Sequence, residues 1–493
     1  MAPQKLDDAA LDAQLSDFRW LSAPPERLAL AYENDKAGFL RRLKKARAGD
    51  VKMPELSDQQ KQTMARIEAA KIPERASYEA VGQLSMDKLA RAVSSRRQLQ
   101  EVLVDFWGNH FNVDVKKGLV RTLKITDDRT VIRPHVFGTF REILGASAHS
   151  PAMMFYLDNA RSTREYTVGR VRGKKGKKAG GLNENYAREL MELHTLGVDG
   201  GYSQTDVTEV ARCFTGWSLD PQSGEFFFRA RAHDEGEKTV LGQTIAANGG
   251  QSDGERVLDI LAQNPATASF IARKLCVRFV ADAPPDALVA KIAAVFTRSK
   301  GDLSATYRAL FAAPEFLSEG AYRAKIKSPL EFTVSAVRAL GGTLDFGSQG
   351  AQFRLLAAGG ASLNQGNNGN KNKALRRITK RPLAVEIANM GQPLFSCQPP
   401  TGYAENSTKW VSASALVSRL NFAIALTQGS VGDVALTQDT FRAAPVDEMA
   451  QALLGSEVSP ATRSIVESEA QKSPGDGARL RALLLGSPEF QRR

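Results

Sequence analysis

The sequence predicts a mainly α, multi-helical globular protein with a small β-hairpin insertion, and three observations predict it. Apolar residues recur at helical spacing through nearly every segment. Alternation of period two is confined to one stretch, GEFFFRARAHDEGEKTVLGQTI at 224–245. Neither GxGxxG nor GxxxxGK[ST], the phosphate loops of strand-rich nucleotide folds, occurs anywhere in the 493 residues. Apolar residues make up 42% and charged residues 24%, an ordinary globular balance, and 23 Phe against 4 Trp and 9 Tyr imply a core of aliphatic and Phe packing.

Residues 1–100 read as an N-terminal helical region. KAGFLRRLKKARAG and DQQKQTMARIEAAK are charged and helix-favouring, and SMDKLARAVSSRRQLQEVLVDFW sets Leu89, Val93, Leu99, Val102, Leu103 and Phe106 along one side. Residues 101–345 read as a helical core. In it WGNHFNVDVKKG is a loop or helix end, and HVFGTFREILGASAHSPAMMFYL returns to helix with a break at Ser150-Pro151. The best-delimited helix follows, with Asn183 as N-cap, Glu184 in the first turn and Gly197 as a left-handed stop. Ser203 caps the next, helped by Asp206, and that helix runs to Gly216. The hairpin over 224–245 comes next, then helices through GERVLDILAQNPATASFIARKLCVRFV, KIAAVFTRSK and SATYRALFAAPEFL. Residues 346–410 read as a flexible, basic and Gly/Asn-rich loop region that contains one helical piece, PLAVEIANMGQPLF, and 411–493 as a C-terminal helical region. Residues 168–181 and 359–372 are expected to be the least ordered internal segments.

No apolar run approaches the roughly 18–20 residues that span a bilayer. The opening MAPQKLDDAALDAQLSDFRW carries Asp where a secretory peptide needs a basic end and an apolar stretch, so the chain as written reads as cytoplasmic. Three cysteines, Cys213, Cys276 and Cys397, form neither a CxxC pair nor an even framework. Cys213 and Cys276 sit among apolar neighbours and are expected in the core. The net charge of +12 is unevenly placed. RSTREYTVGRVRGKKGKK at 161–178 holds one acid, Glu165, among eight bases, and KNKALRRITKR at 371–381 holds none. Such runs attract a polyanion, yet Tyr166 is the one aromatic residue in them and none is interleaved among the Gly/Lys repeats for base stacking, which makes nucleic-acid binding the weakest function class carried forward.

The five histidines, His110, His135, His149, His194 and His233, all fall in the first half of the chain. With Asp158, Glu184, Glu189 and Glu192 they supply the residue types that bind zinc or iron and that serve as general acids and bases. On a helical wheel of LNENYARELMELHTLGVDGGY, Asn185, Arg188, Glu189 and Glu192 form one polar stripe, while His194 falls in the opposite, apolar arc with Tyr186, Leu190, Met191 and Leu193. Glu189 and Glu192 can therefore share a site that His194 cannot join on an unbroken helix. The plainer alternative is a solvated stripe with an Arg188–Glu192 ion pair. Trp107, Asn109 and His110 leave a helix together, Arg133 precedes His135, Asp158 and Asn159 end an apolar helix, and His233-Asp234 reads as a turn in the hairpin.

Taken in order, FWGNHFNV, RPHVFGTFREILGASAHSPAMMFYLDNA, LNENYARELMELHTLGVDGGYSQTDVTEVARCFTGW, RAHDEGEKTVLG, and ATASFIARKLCVRFV with GDLSATYRALFAAPEF resemble the domain-of-unknown-function 1800 family over about residues 85–430. The resemblance implies a bacterial protein of a family without an established reaction. Many members carry export signals, and their genes often neighbour one for a sulfatase-like protein. It implies that Trp107, Asn109, His110, Arg133, His135, Asp158, Asn159, Asn185, Arg188, Glu189, Glu192, His194, His233 and Asp234 belong to a motif richer in polar groups than packing requires. Two readings stay open. In one, an envelope-linked, metal-dependent enzyme acts on a polyanionic or glycan-like substrate. There His110, His135 and Asp158 would hold a divalent metal ion, and Asn185, Arg188, Glu189, Glu192 and His194 would do the chemistry. Trp107, Arg133, Asn159, His233 and Asp234 would meet the substrate. In the other, the chain is a non-catalytic helical partner of the sulfatase-like protein, and its polar motif is a buried structural network. The enzyme reading expects at least three of His110, His135, Asp158, Asn185, Arg188, Glu189 and His194 around one cavity.

Overall fold

Helices carry the fold, and two hydrophobic cores organise them. The computed structural model describes residues 6–38, 57–168, 177–220, 223–345, 380–437, 444–455 and 458–493. The Gly/Asn-rich stretch at 359–372, almost all of the second basic run and the centre of the first lie outside the described residues, and so do the expectations of mobility placed on them.

The first core is built by Gln98–His110, Phe140–His149, Gln204–Cys213, Ser252–Gln263, Pro265–Phe279, Asp286–Arg298 and Leu303–Phe311. Phe106, Trp107, Phe140, Leu190, Phe214, Trp217, Leu258, Leu275 and Phe296 are buried in it. The second core joins early and late parts of the chain. Pro25–Ala37 and Ala76–Ser94 pack with Pro329–Ala339, Leu383–Asn389, Ala413–Thr427 and Gly477–Gly486 around Trp20, Leu28, Leu84, Phe332, Phe422 and Leu485. Cys213, Cys276 and Cys397 are free and buried. No helix among the described residues is long and apolar enough to cross a membrane.

The helix starts follow local chemistry. Thr139 with Glu142, Ser203 with Asp206 and Ser328 with Glu331 each close a reciprocal capping box, and Asn264 caps the helix whose first residue is Pro265. Each such cap contributes about 1 kcal/mol. Two segments depart from the regular spiral: Asp127–Ile132 and Leu190–Thr195 are π-helical, a rare geometry often found at functional sites. The second lies inside the helix singled out from sequence. Its start is pinned by the Asn183 side chain, which accepts from the Asn185 N–H, and Gly197 stops it at φ +85°.

Strand is confined to short antiparallel pairs. The single hairpin expected over 224–245 resolves into two: Trp217–Leu219 pairs with Phe226–Phe228, and Lys238–Val240 pairs with Gln243–Ile245. The partner of the Phe-rich strand lies upstream, just after the Gln204–Cys213 helix, which ends three residues short of Gly216. Tyr166–Val168 pairs with Lys177–Ala179, and Thr343–Leu344 with Val434–Ala435.

Candidate functional site

The polar stripe of the helix Asn185–Glu189 and its π continuation faces outward, and His194 faces inward. Glu189 and Glu192 are half-buried, whereas His194 is 1% exposed. Burial raises the Glu189 carboxyl above the usual range, and the Glu192 charge adds to the effect. Glu189 has no hydrogen-bond partner among the described residues. Glu192 accepts a 3.4 Å bond from the Tyr202 hydroxyl. Arg188 does not reach Glu192. It turns toward the helix N-terminus, as long helical side chains do, and donates to Gln204 Oε1 at 2.8 Å and Glu184 Oε2 at 3.4 Å. The change to π spacing after Glu189 also breaks the i,i+4 relation that the pair would need. Asn185 is exposed, and only its backbone N–H is engaged.

Behind this stripe, His110 Nε2 donates to the His194 carbonyl at 3.1 Å, and the two rings lie 6.0 Å apart. His110 Nδ1 and His194 Nε2 are buried and have no partner among the described residues. Lys274, on the Pro265–Phe279 helix, faces both. Burial first and the Lys274 charge second depress both imidazoles, His194 to about 3 and His110 well below its ordinary value. Burial also lowers the Lys274 amine, to about 8. The imidazole pair is therefore neutral at physiological pH.

Asn109 and Asn112 act as clamps. The Asn109 side chain donates to the Tyr403 carbonyl at 2.8 Å and accepts from the Tyr403 N–H at 2.7 Å, while Asn112 donates to the carbonyls of Cys397 and Pro399. The Tyr156 hydroxyl donates to the Gln398 carbonyl at 2.6 Å. These bonds press the 397–403 loop against the first core. Close by, between the two cores, lies a charged cluster that sequence reasoning missed. Buried Arg278 meets Asp105 at 3.2 Å, Glu331 at 3.2 Å and Glu405 at 3.1 Å. Lys88 holds the other oxygen of Asp105 at 2.7 Å, and Arg493 lies 3.0 Å from Glu331. The cavity among them, of about 30 Å³, has room for a water molecule. One signal could have found part of it: Lys274 and Arg278, one turn apart, are charged residues on a helix whose Ile271, Ala272, Leu275 and Cys276 are buried.

The remaining motif residues hold one another in separate places. Trp107 is fully buried and donates to the Tyr307 hydroxyl at 2.6 Å. Arg133 grips Glu101 with both terminal nitrogens, at 2.8 and 3.1 Å, and Asp128 lies 3.8 Å from its Nε. His135 Nδ1 donates to the Val131 carbonyl at 2.7 Å. Asp158, at φ +60°, accepts from Lys117 Nζ at 2.7 Å, and Asn159 donates to the Phe214 carbonyl at 3.3 Å. His233 is far from a mere turn residue. It is 1% exposed, with Nδ1 2.8 Å from the Thr215 carbonyl and Nε2 3.1 Å from Asp253 Oδ2, the same oxygen that accepts from buried Lys238 at 2.6 Å. Asp234 takes two bonds from Arg212, at 3.1 and 3.0 Å. His149 bridges the Gly145 carbonyl and Glu255 and packs on Trp217 and Phe226.

The structure thus brings His110 and His194 together, and Glu189 and Glu192 together, and leaves His135 and Asp158 elsewhere with partners of their own. Among the described residues no group of three or more His, Cys, Asp or Glu side chains is placed to hold a metal ion. His110, His135 and Asp158 lie apart, and His135 and Asp158 are engaged by partners of their own. The fold and its polar clusters define a class: a multi-helical protein of two cores, with buried charged and imidazole groups at and beside their junction. A family model described as a protein of unknown function (DUF1800) matches residues 4–492, and the chain belongs to that family. The comparisons found no match among curated proteins and none among solved structures.

Proposed function

We propose that the chain is a non-catalytic helical partner protein, which docks a second protein through the outward face of the helix Ala413–Thr427. One observation carries this reading. Val411, Leu416, Val417, Leu420 and Ile424 are each 38–59% exposed, and the only charged residue between Trp410 and Gly432, Arg419, is buried. A contiguous apolar, uncharged face of this kind is the mark of a protein interface, not of a polyanion or glycan site. The polar motif then has a structural task, because every motif side chain except those of Asn185, Glu189 and His194 is spent on a bond within the chain. The family resemblance supplies the partner to test, the sulfatase-like product of a neighbouring gene. Co-expression followed by size-exclusion chromatography with light scattering should give a complex. The variant Leu416→Ser/Ile424→Ser should lose it at unchanged thermal stability. No complex with the wild-type chain, or an undiminished complex with the variant, overturns the proposal.

One observation favours a second reading, an acid–base enzyme. Glu189 is a half-buried carboxylate beside Glu192, raised above the usual range by burial and by the Glu192 charge, and unpartnered among the described residues. Turnover of a glycan or polyanion by the wild-type chain that vanishes in Glu189→Gln would select this reading over the first.

A further inference from the structure

We propose that an open pocket beside the second core, bounded by Tyr322, Lys327, Leu453, Leu454, Phe490 and Arg492, binds an organic anion with an apolar body, such as a medium-chain carboxylate. Its volume is about 310 Å³, in the range of small-ligand sites. Leu453 and Phe490 are buried, Leu454 half-buried, and Tyr322 stands 66% exposed at the mouth. These groups make an apolar floor that would gain nothing from inorganic phosphate or a bare sugar.

Above that floor the charge is one-sided. Arg323, Lys327, Arg492 and Arg493 line the pocket with one carboxylate among the described residues, Glu489. Glu489 is already committed: it accepts from the Ser459 N–H at 2.9 Å and the Thr462 hydroxyl at 3.0 Å, and against the effect of burial these bonds hold it down to about 2. Arg493 leans to Glu331 at 3.0 Å. Lys327 has no ion-pair partner among the described residues, and its ammonium lies 3.7 Å from the centre of the Phe490 ring. Behind it, buried Arg419 donates to the Lys327 carbonyl and to Gln491 Oε1, both at 2.7 Å, with no carboxylate bonded to it among the described residues. Burial lowers the Lys327 amine to about 8; Glu331 opposes this, and Arg323, Arg419 and Arg493 push the same way. A carboxylate entering the pocket relieves this repulsion while its hydrocarbon tail covers the leucines and Phe490. Neither half of such a ligand is served as well alone.

Titration calorimetry of the full chain with sodium octanoate tests the proposal, with 1-octanol and inorganic phosphate as controls. Octanoate should bind one per chain and weaken when NaCl rises from about 50 to about 500 mM. Lys327→Gln and Arg492→Gln should each weaken it about tenfold, the loss of one charge-assisted contact. Arg492 is exposed, so its variant keeps the readout usable should Lys327→Gln disturb the fold. Three results would overturn the proposal: no octanoate binding to the wild type, equal binding to the Arg492→Gln chain, or octanol binding as tightly as octanoate. None of these residues lies on the outward face of Ala413–Thr427, so the outcome is independent of the docking proposal.

Discussion

Lowering the pH from 7 to 5 should destabilise the protein through its two buried imidazoles, by an amount the structure fixes. His110 and His194 are 2% and 1% exposed, face Lys274 rather than a carboxylate, and are held neutral. In the unfolded chain each titrates near the ordinary histidine value of about 6.5. Because the folded values are depressed, the unfolded state binds more protons below pH 6.5. Stability is therefore fully present above that pH and falls as the pH drops toward the folded value, which for His194 is about 3. Between pH 7 and 5 His194 should cost about 2 kcal/mol, and His110 adds to the loss in the same direction. Urea unfolding followed by tryptophan fluorescence at both pH values measures the loss, and His194→Phe isolates the His194 share of it. Phe suits a site already walled by Phe111, whose ring lies 5.2 Å from His194, and it carries no proton. The variant should lose about 2 kcal/mol less than the wild type over this range. A wild-type loss below about 1 kcal/mol, or a variant whose pH slope matches the wild type, would refute the reasoning.

Three further outcomes follow from the same packing. Lys238→Met leaves the buried Asp253 carboxylate with His233 as its one remaining side-chain partner, and should cost about 3–5 kcal/mol in thermal or urea unfolding. Gly402→Ala puts a Cβ 2.3 Å from the Asn109 carbonyl oxygen at a residue with φ +74°. The variant should lose at least about 1–3 kcal/mol, with faster hydrogen exchange confined to the 397–410 loop. Glu189→Gln should leave stability at neutral pH within about 0.5 kcal/mol or raise it. A carboxyl whose folded value is raised is stabilising only at low pH and loses that contribution as the pH climbs, so Gln removes a charge that the fold disfavours.

Signals that act over a few residues were legible in the sequence. The Ser203–Asp206 capping box, the Gly197 stop, the buried cysteines and the inward turn of His194 against the outward Glu189 and Glu192 follow from periodicity and cap chemistry. What was illegible depends on distant pairing. The Phe-rich strand 226–228 announces itself by composition, yet nothing local says that its partner is Trp217–Leu219 and not the segment after the turn. His233-Asp234 has the composition of a turn, and only the approach of Asp253, Lys238 and Arg212 makes it a buried lock. The Arg278 cluster draws on Asp105, Glu331, Glu405 and Arg493, residues up to 388 positions apart (493 − 105), so no spacing rule could gather them. Arg188 pairs backward where the helix widens into a π turn two residues later, and a regular wheel does not anticipate that.

That π turn also decides which group could handle protons, should the chain prove catalytic. Histidine is the ordinary choice for acid–base work, while the sequence places Glu189, Glu192 and His194 together among the candidates. Here the two that meet are the worst placed: buried and neutral, with His110 bonded to the His194 carbonyl and the His194 Nε2 without a partner among the described residues. His233 and His149 are bound at both ring nitrogens, and His135 donates to a backbone carbonyl. The carboxylate of Glu189 is half-buried, raised above the usual range, and without a bond to give up among the described residues. A proton-transfer role therefore falls to Glu189 with Glu192 beside it, and the imidazoles behind them hold the wall. Replacing His194 should change the pH dependence of stability and leave any turnover in place, whereas replacing Glu189 should abolish the turnover.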